Sequence, residues 1–133
     1  MGMRRSTLRQ HVFSVLFRVE FHNLEDMNEQ IELYCNELVE AGEEDVAFIT
    51  NRAKDVVSKL EQIDEKLADC SEGWDIDRIG KVELTILRLA LYEILFDEDV
   101  PNAVAVNEAV ELSKKFGQDS SYSFVNGVLS KAL

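Results

Sequence analysis

The sequence KVELTILRLALYEILF (81–96) decides the fold class, because it predicts a helix that is apolar on nearly every side. A helix that is hydrophobic all round is a buried helix. We therefore expect this segment to be the central helix of the fold. Its apolar positions are Val82, Leu84, Ile86, Leu87, Leu89, Ala90, Leu91, Ile94 and Leu95.

The segments on both sides of the central helix also show helical periodicity. Together with it, the predicted helices span 4–20, 24–41, 44–69 with a break near 60–63, 103–116 and about 121–129. The segment 97–101 is predicted to be a loop, since its proline disfavours helix at the preceding residue. No segment shows the alternation of apolar and polar residues that is typical of a strand. The prediction is an all-α chain, one domain of six or seven helices.

Several small or polar residues mark the expected helix ends. Asn23 is a candidate N-cap for the second helix, and Ser120 or Ser121 for the last. Gly42 and Gly117 are each expected to close a helix in the left-handed backbone conformation.

Composition limits the function classes that fit the sequence. The chain has 133 residues, a net charge of -12, 46% hydrophobic and 30% charged residues, as expected of a globular domain. It has neither an apolar run of the roughly 20 residues that a membrane span needs nor a secretory signal, so we expect a soluble cytoplasmic protein. Cys35 and Cys70 are expected to be reduced, partly buried thiols, and no cofactor or metal site is predicted.

Charged side chains offer no arrangement typical of catalysis. The acidic segments GEED (42–45) and FDEDV (96–100) are interpreted as solvated turns and helix caps. Arg88, Glu93 and Glu108 are expected to pair with each other or with neighbours, as buried charges must. Glu83, near the start of the central helix, is expected to be exposed and available to a partner. The sequence predicts no enzyme and no catalytic residue.

The N-terminal segment 1–19 carries four arginines and no acidic residue, although the whole chain is strongly acidic. On a helix that turns 100° per residue, Arg5 and Arg9 lie on nearly the same side, with Arg4 close by, whereas Arg18 lies roughly opposite Arg9. A solvated, frayed terminus is one interpretation. The other is a site for an anionic partner such as RNA, because no nearby acid in the sequence neutralises these arginines.

The second half of the chain carries a series of motifs: Trp74 and Arg78, LRLALYE (87–93), Pro101, VNEAVELSKKFG (106–117) and FVNGVL (124–129). With these motifs in the expected order and spacing, the chain resembles the NusB transcription antitermination factor family over nearly its whole length. The arginine-rich start also fits the family, whereas 23–70 matches only in helical pattern.

The resemblance implies two small helical bundles and an RNA-binding function. It implies binding to the boxA element of nascent ribosomal RNA together with the ribosomal protein NusE, and assembly with other Nus factors on RNA polymerase. The implied RNA-binding residues are Arg4, Arg5, Arg9, Phe116, Gly117, Ser120, Tyr122 and Phe124. The implied partner-binding residues are Glu83, Arg78 and Trp74.

Departures from the family pattern leave alternatives open. The first helix has Leu8, Ser14 and Phe17 where the family tends to have Ala, Gln and Tyr, and Ser120 and Ser123 replace an acid and a lysine of some relatives. A non-catalytic protein-interaction module of the same fold, with weak or no RNA binding of its own, is therefore still open, and so is a homodimer. Core packing is the alternative for the two phenylalanines of the implied RNA site. Similar domains also precede RNA methyltransferase domains, but the sequence predicts no such catalytic domain here.

Overall fold

The computed structural model describes residues 2–71 and 75–133, which form seven α-helices and no strand. The all-α prediction is confirmed. The helices are α1 (Arg5–Leu16), α2 (Met27–Asn36), α3 (Glu43–Ser58), α4 (Leu60–Cys70), α5 (Lys81–Phe96), α6 (Asn102–Phe116) and α7 (Ser121–Ser130). Short 3-10 turns span Phe17–Glu20, Leu24–Asp26 and Ile76–Arg78.

The chain divides into two compact units, Met1–Ser58 and Lys59–Leu133. In the first unit, α1 and α2 both pack against α3. Each of the three helices contributes one apolar stripe to a shared core, because its apolar residues recur at helical spacing. Fully buried members of this core are Val12, Val15, Ile31, Ile49, Ala53 and Val56.

In the second unit, α5 packs against α4, α6 and α7. Leu87 and Leu91 of α5 have no exposed surface, and nine residues of the helix are buried. The prediction of a central buried helix is therefore confirmed. Of its charged residues, Arg88 pairs with Asp64 of α4: its Nε lies 2.9 Å from Oδ1 and its Nη2 lies 3.0 Å from Oδ2.

Several helix ends differ from the predictions that were based on a single capping residue. Asn23 precedes only a 3-10 turn and makes no side-chain cap hydrogen bond, and α2 ends at Asn36, well before the predicted residue 41. Gly42 does not close α2. Its carbonyl instead accepts a hydrogen bond from Val46 N at 3.0 Å at the start of α3. The predicted helix 44–69 does break, as expected. The break lies at Lys59, between α3 and α4, and so just before the predicted position near 60–63.

The left-handed conformation predicted for Gly117 is wrong. Its φ is -97° and its ψ is -170°, which is extended backbone that any residue adopts. The glycine is needed for space instead, because a Cβ there would lie 2.7 Å from the carbonyl oxygen of Ser113 and 2.7 Å from Cβ of Ser121. A close approach between the end of α6 and the start of α7 therefore requires glycine.

We expect Gly117→Ala to lower the free energy of unfolding by about 1–2 kcal/mol, because a backbone oxygen cannot move away from the added methyl group. Gly127→Ala is the matched control, since nothing lies within 4 Å of a Cβ at that exposed position of α7. This control is expected to raise stability by roughly 0.5–1 kcal/mol through helix propensity. Urea unfolding of both variants measures the difference. Equal stability of Gly117→Ala and the unaltered protein would contradict the steric account.

The two cysteines are free and buried, as expected, and Sγ of Cys35 lies 3.5 Å from Oγ1 of Thr50. Within 2–71 and 75–133, the structure contains no group of three or more His, Cys, Asp or Glu side chains placed to hold a metal ion. None of the described helices has the length and apolarity required to cross a membrane.

Candidate nucleic-acid interface

Two of the three N-terminal arginines lie at the surface of the first unit. Arg4 is the N-cap of α1 and Arg5 its first residue, and both are exposed. Arg9 is only 7% exposed, so its grouping with the other two as a surface cluster is wrong. Arg9 precedes the buried Val12 and Phe13 by three and four residues, which places it on the apolar face of α1. Arg5 is on nearly the same side but stands at the exposed start of the helix.

An acidic residue does lie close to the N-terminal backbone that precedes α1, contrary to the expectation from sequence. Asp45 of α3 is 4% exposed, and its Oδ1 accepts a hydrogen bond from Met3 N at 3.0 Å. The interpretation of GEED (42–45) as wholly solvated is therefore wrong for its last residue. The fold brings this carboxylate from 42 residues away to the start of α1.

Arg18 is separate from the other arginines, as helical geometry predicted. Its Nη1 donates to the side-chain oxygen of Gln30 at 3.0 Å and to the backbone oxygen of the same residue at 3.3 Å. Its guanidinium carbon lies 5.4 Å from the ring centroid of Tyr34. Burial raises the pKa of Tyr34, while a hydrogen bond with Ser14 and the charge of Arg18 oppose that rise. Arg18 therefore helps join the 3-10 turn that follows α1 to α2.

In the second unit, the end of α6 and the start of α7 expose lysines beside aromatic rings. Lys114 Nζ lies 5.6 Å from the ring centroid of Tyr122, and Lys115 Nζ lies 5.5 Å from that of Phe116. Tyr122 is 46% exposed and Phe116 is 38% exposed, so neither is a core residue. We call these four residues the lysine–aromatic surface. Basic side chains over accessible rings can contact both the phosphates and the bases of RNA.

A cavity of about 400 Å³ lies next to this surface. It is lined by Lys114, Gly117, Gln118, Asp119 and Tyr122. Gly117 therefore has two roles in the local geometry, because it permits the tight turn and forms part of the cavity wall. Lys114 also approaches Glu111 of α6 at 3.8 Å, but both side chains are more than half exposed, so this ion pair is weak.

A larger groove of about 590 Å³ joins residues that the family resemblance assigned to different partners. Arg78 and Glu83, assigned to a protein partner, line it together with Ser120 and Phe124, assigned to RNA. Trp74, the third residue assigned to a protein partner, lies outside the described residues. The groove is also lined by Ile79, Gly80, Gln118, Ser121 and Ser123.

Glu83 is half-buried and already engaged within the second unit, although we expected it to be exposed. Ser121 Oγ donates a hydrogen bond to its Oε2 at 2.5 Å and accepts one from Gln118 N at 2.9 Å. A Cβ at Gly80 would collide with Oε1 of the same carboxylate. Glu83 therefore fixes the loop between α6 and α7, which shapes one wall of the groove.

Sequence reasoning missed three residues that bear on these sites, the exposed Lys114 and Lys115 and the buried Asp45. Lys114 and Lys115 stand inside the motif SKKFG (113–117), where basic residues directly precede an aromatic one, and that pattern could have marked them. Asp45 had no such signal, because its neighbour at the N-terminus is distant in sequence. Its place follows from the packing of α1 on α3.

Comparisons with known proteins show the same family over nearly the whole chain. A model of the NusB family matches residues 6–133. The transcription antitermination protein NusB of Lachnoclostridium phytofermentans is 47% identical over 131 residues, which cover 98% of this chain and 99% of that relative.

Solved structures agree with the sequence comparisons. NusB from T. maritima has a TM-score of 0.89 at 32% identity, covering 99% of this chain and 92% of that one. A structure of the antitermination factors NusB and NusE in complex with dsRNA has a TM-score of 0.84 at 27% identity, covering 96% and 94%. With its helical order, its motifs and these full-length matches in agreement, the chain belongs to the NusB family.

Proposed function

We propose that this protein is a non-catalytic RNA-binding factor of transcription antitermination that binds boxA RNA of nascent ribosomal transcripts together with NusE. The lysine–aromatic surface is the observation that carries the proposal. It exposes two cations and two rings in a protein whose net charge is -12. Family membership and the relative in complex with NusE and dsRNA support the same function.

The electrostatics favour binding at a few local sites over binding along the whole surface. Phosphate groups are attracted to clustered Lys and Arg side chains, and an acidic remainder repels them elsewhere. Arg4 and Arg5 of the first unit, and Lys114 and Lys115 of the second, are the exposed cations that we assign to phosphate contacts. Arg9 is assigned a structural role in α1 because it is buried.

The aromatic and groove residues are assigned to the bases. Tyr122 and Phe116 present accessible rings, and base stacking on such a ring contributes about 1–3 kcal/mol. Phe124 and Ser120 line the larger groove, where an unpaired base would find both a ring and hydrogen-bonding groups.

The assignment of a protein partner rests on the family. NusE is the proposed direct partner, with Arg78, Glu83 and Trp74 as its contacts, and other Nus factors and RNA polymerase are the proposed wider assembly. The engagement of Glu83 with Ser121 means that its contribution is through the loop it holds. We place the activity in the cytoplasm, where such transcripts are made.

A fluorescence anisotropy titration of labelled boxA RNA, with and without saturating NusE, tests the proposal. We expect specific binding that is tighter with NusE present, because two partners on one RNA add their contacts at high effective concentration. An RNA of the same length with a scrambled boxA sequence is the control. Equal binding of both RNAs would contradict sequence recognition. No binding, even with NusE, would instead favour a protein-interaction module.

A further inference from the structure

The chain that leads into α1 is held by a side chain from another helix. The N-cap is Arg4, which makes no side-chain cap hydrogen bond, and the first turn of α1 contains no acidic residue. An arginine cannot act as an N-cap acceptor, because its guanidinium has only donors. The local sequence therefore does nothing to stabilise the start of the helix that bears the arginines.

Asp45 of α3 instead fixes the chain just outside the helix. Its Oδ1 accepts the amide hydrogen of Met3, the residue just before the N-cap, at 3.0 Å. The carboxylate is almost fully buried, so solvent screens it little and its hydrogen bond is not replaced easily by water. The packing is tight as well, since a Cβ at Gly2 would lie 3.2 Å from the same oxygen.

We propose that Asp45 is a positioning residue for RNA binding, which fixes the backbone of residues 2–5 so that Arg4 and Arg5 are presented before RNA arrives. This inference rests on the proposed function. The carboxylate acts through the amide of Met3, and thereby on the direction in which the chain enters α1.

The proposal makes a prediction whose sign is opposite to that of simple electrostatics. Loss of a carboxylate makes the protein less acidic, which by charge alone would strengthen binding to RNA. Loss of the hydrogen bond leaves residues 2–5 to be ordered during binding, which weakens it. We expect Asp45→Ala to lower RNA affinity by roughly 3–30-fold, because a few backbone residues must then be fixed on binding.

Two variants separate positioning from charge and from folding. Glu44→Ala removes the same charge from the neighbouring exposed position of α3, and we expect unchanged or slightly tighter RNA binding. Asp45→Asn keeps an oxygen acceptor for Met3 N while it removes the charge, and we expect affinity within about threefold of the unaltered protein. If Asp45→Asn lost as much affinity as Asp45→Ala, the hydrogen-bond account would be overturned.

Limited trypsin digestion, followed by intact mass, tests the fixed segment without RNA. Cleavage after Arg4 and Arg5 is expected to be at least about fivefold faster in Asp45→Ala than in Glu44→Ala, because local opening controls access by the protease. Circular dichroism of both variants confirms that the helices are intact. Equal cleavage rates in the two variants would show that Asp45 does not fix residues 2–5. Faster cleavage of Asp45→Ala with unchanged RNA affinity would show that fixing this segment has no role in RNA binding. Faster cleavage in a protein that binds no RNA, with or without NusE, would instead refute the proposed function and with it the positioning role.

Discussion

Arg88→Ala is expected to lower the free energy of unfolding by about 2–4 kcal/mol, because it leaves the Asp64 carboxylate without its cation in a partly buried place. The guanidinium makes two parallel hydrogen bonds of 2.9 and 3.0 Å to that carboxylate. The two side chains are 14% and 28% exposed, so water replaces the lost contacts only in part. The ion pair also joins α4 to the central helix α5, so its removal weakens the packing of these two helices in the second unit.

Lys114→Ala is the matched control for the loss of this ion pair. It removes a contact of 3.8 Å to Glu111 between side chains that are 54% and 67% exposed, and we expect a change of no more than about 0.5 kcal/mol. Urea unfolding monitored by circular dichroism measures both variants. A loss in Arg88→Ala as small as that in the control would show that the bidentate pair contributes little. Arg88→Lys is expected to restore only part of the stability, because an ammonium group cannot make the parallel pair of bonds.

The double variant Lys114→Ala/Lys115→Ala is expected to lower affinity for boxA RNA by roughly 10–100-fold at moderate salt. Each lost phosphate contact removes an ionic attraction and the release of its counterions, and each lysine also lies over an accessible ring. Lys54→Ala/Lys66→Ala is the control, with the same change in net charge at positions on α3 and α4 outside the proposed surfaces. Equal losses in the two double variants would mean that the effect is one of net charge.

The parts of the fold that were predicted correctly depend on patterns repeated over many residues. The central helix was evident because apolar residues occupy nearly every position of 81–96, and its burial follows from that composition. The predictions for Gly42 and Gly117 failed because each rested on one residue. Glycine fits a left-handed cap, but it also fits a place with no room for a Cβ, as at Gly117, and open space, as at Gly42. Only the neighbouring elements distinguish these cases.

The candidate site could be predicted in part for a similar reason. The two lysines and the Phe116 ring of SKKFG (113–117) are adjacent in sequence, so this part of the surface is a local property that was overlooked. Arg9 was misplaced because its charge received more weight than its position on the apolar face of α1. Asp45 lay beyond sequence reasoning, because its contact with Met3 depends on how two helices distant in sequence pack together.

The salt dependence of boxA binding tests the proposed RNA surface most directly. Log affinity is plotted against log salt concentration for the unaltered protein, for Lys114→Ala/Lys115→Ala and for the Lys54→Ala/Lys66→Ala control. For single-stranded RNA, each phosphate contact that is removed makes the slope of this plot shallower by about 0.7, so the variant that loses both lysines should show a slope shallower by about 1.4. The control should keep the slope of the unaltered protein. Identical slopes and affinities for all three proteins would contradict the account that RNA binds at this surface.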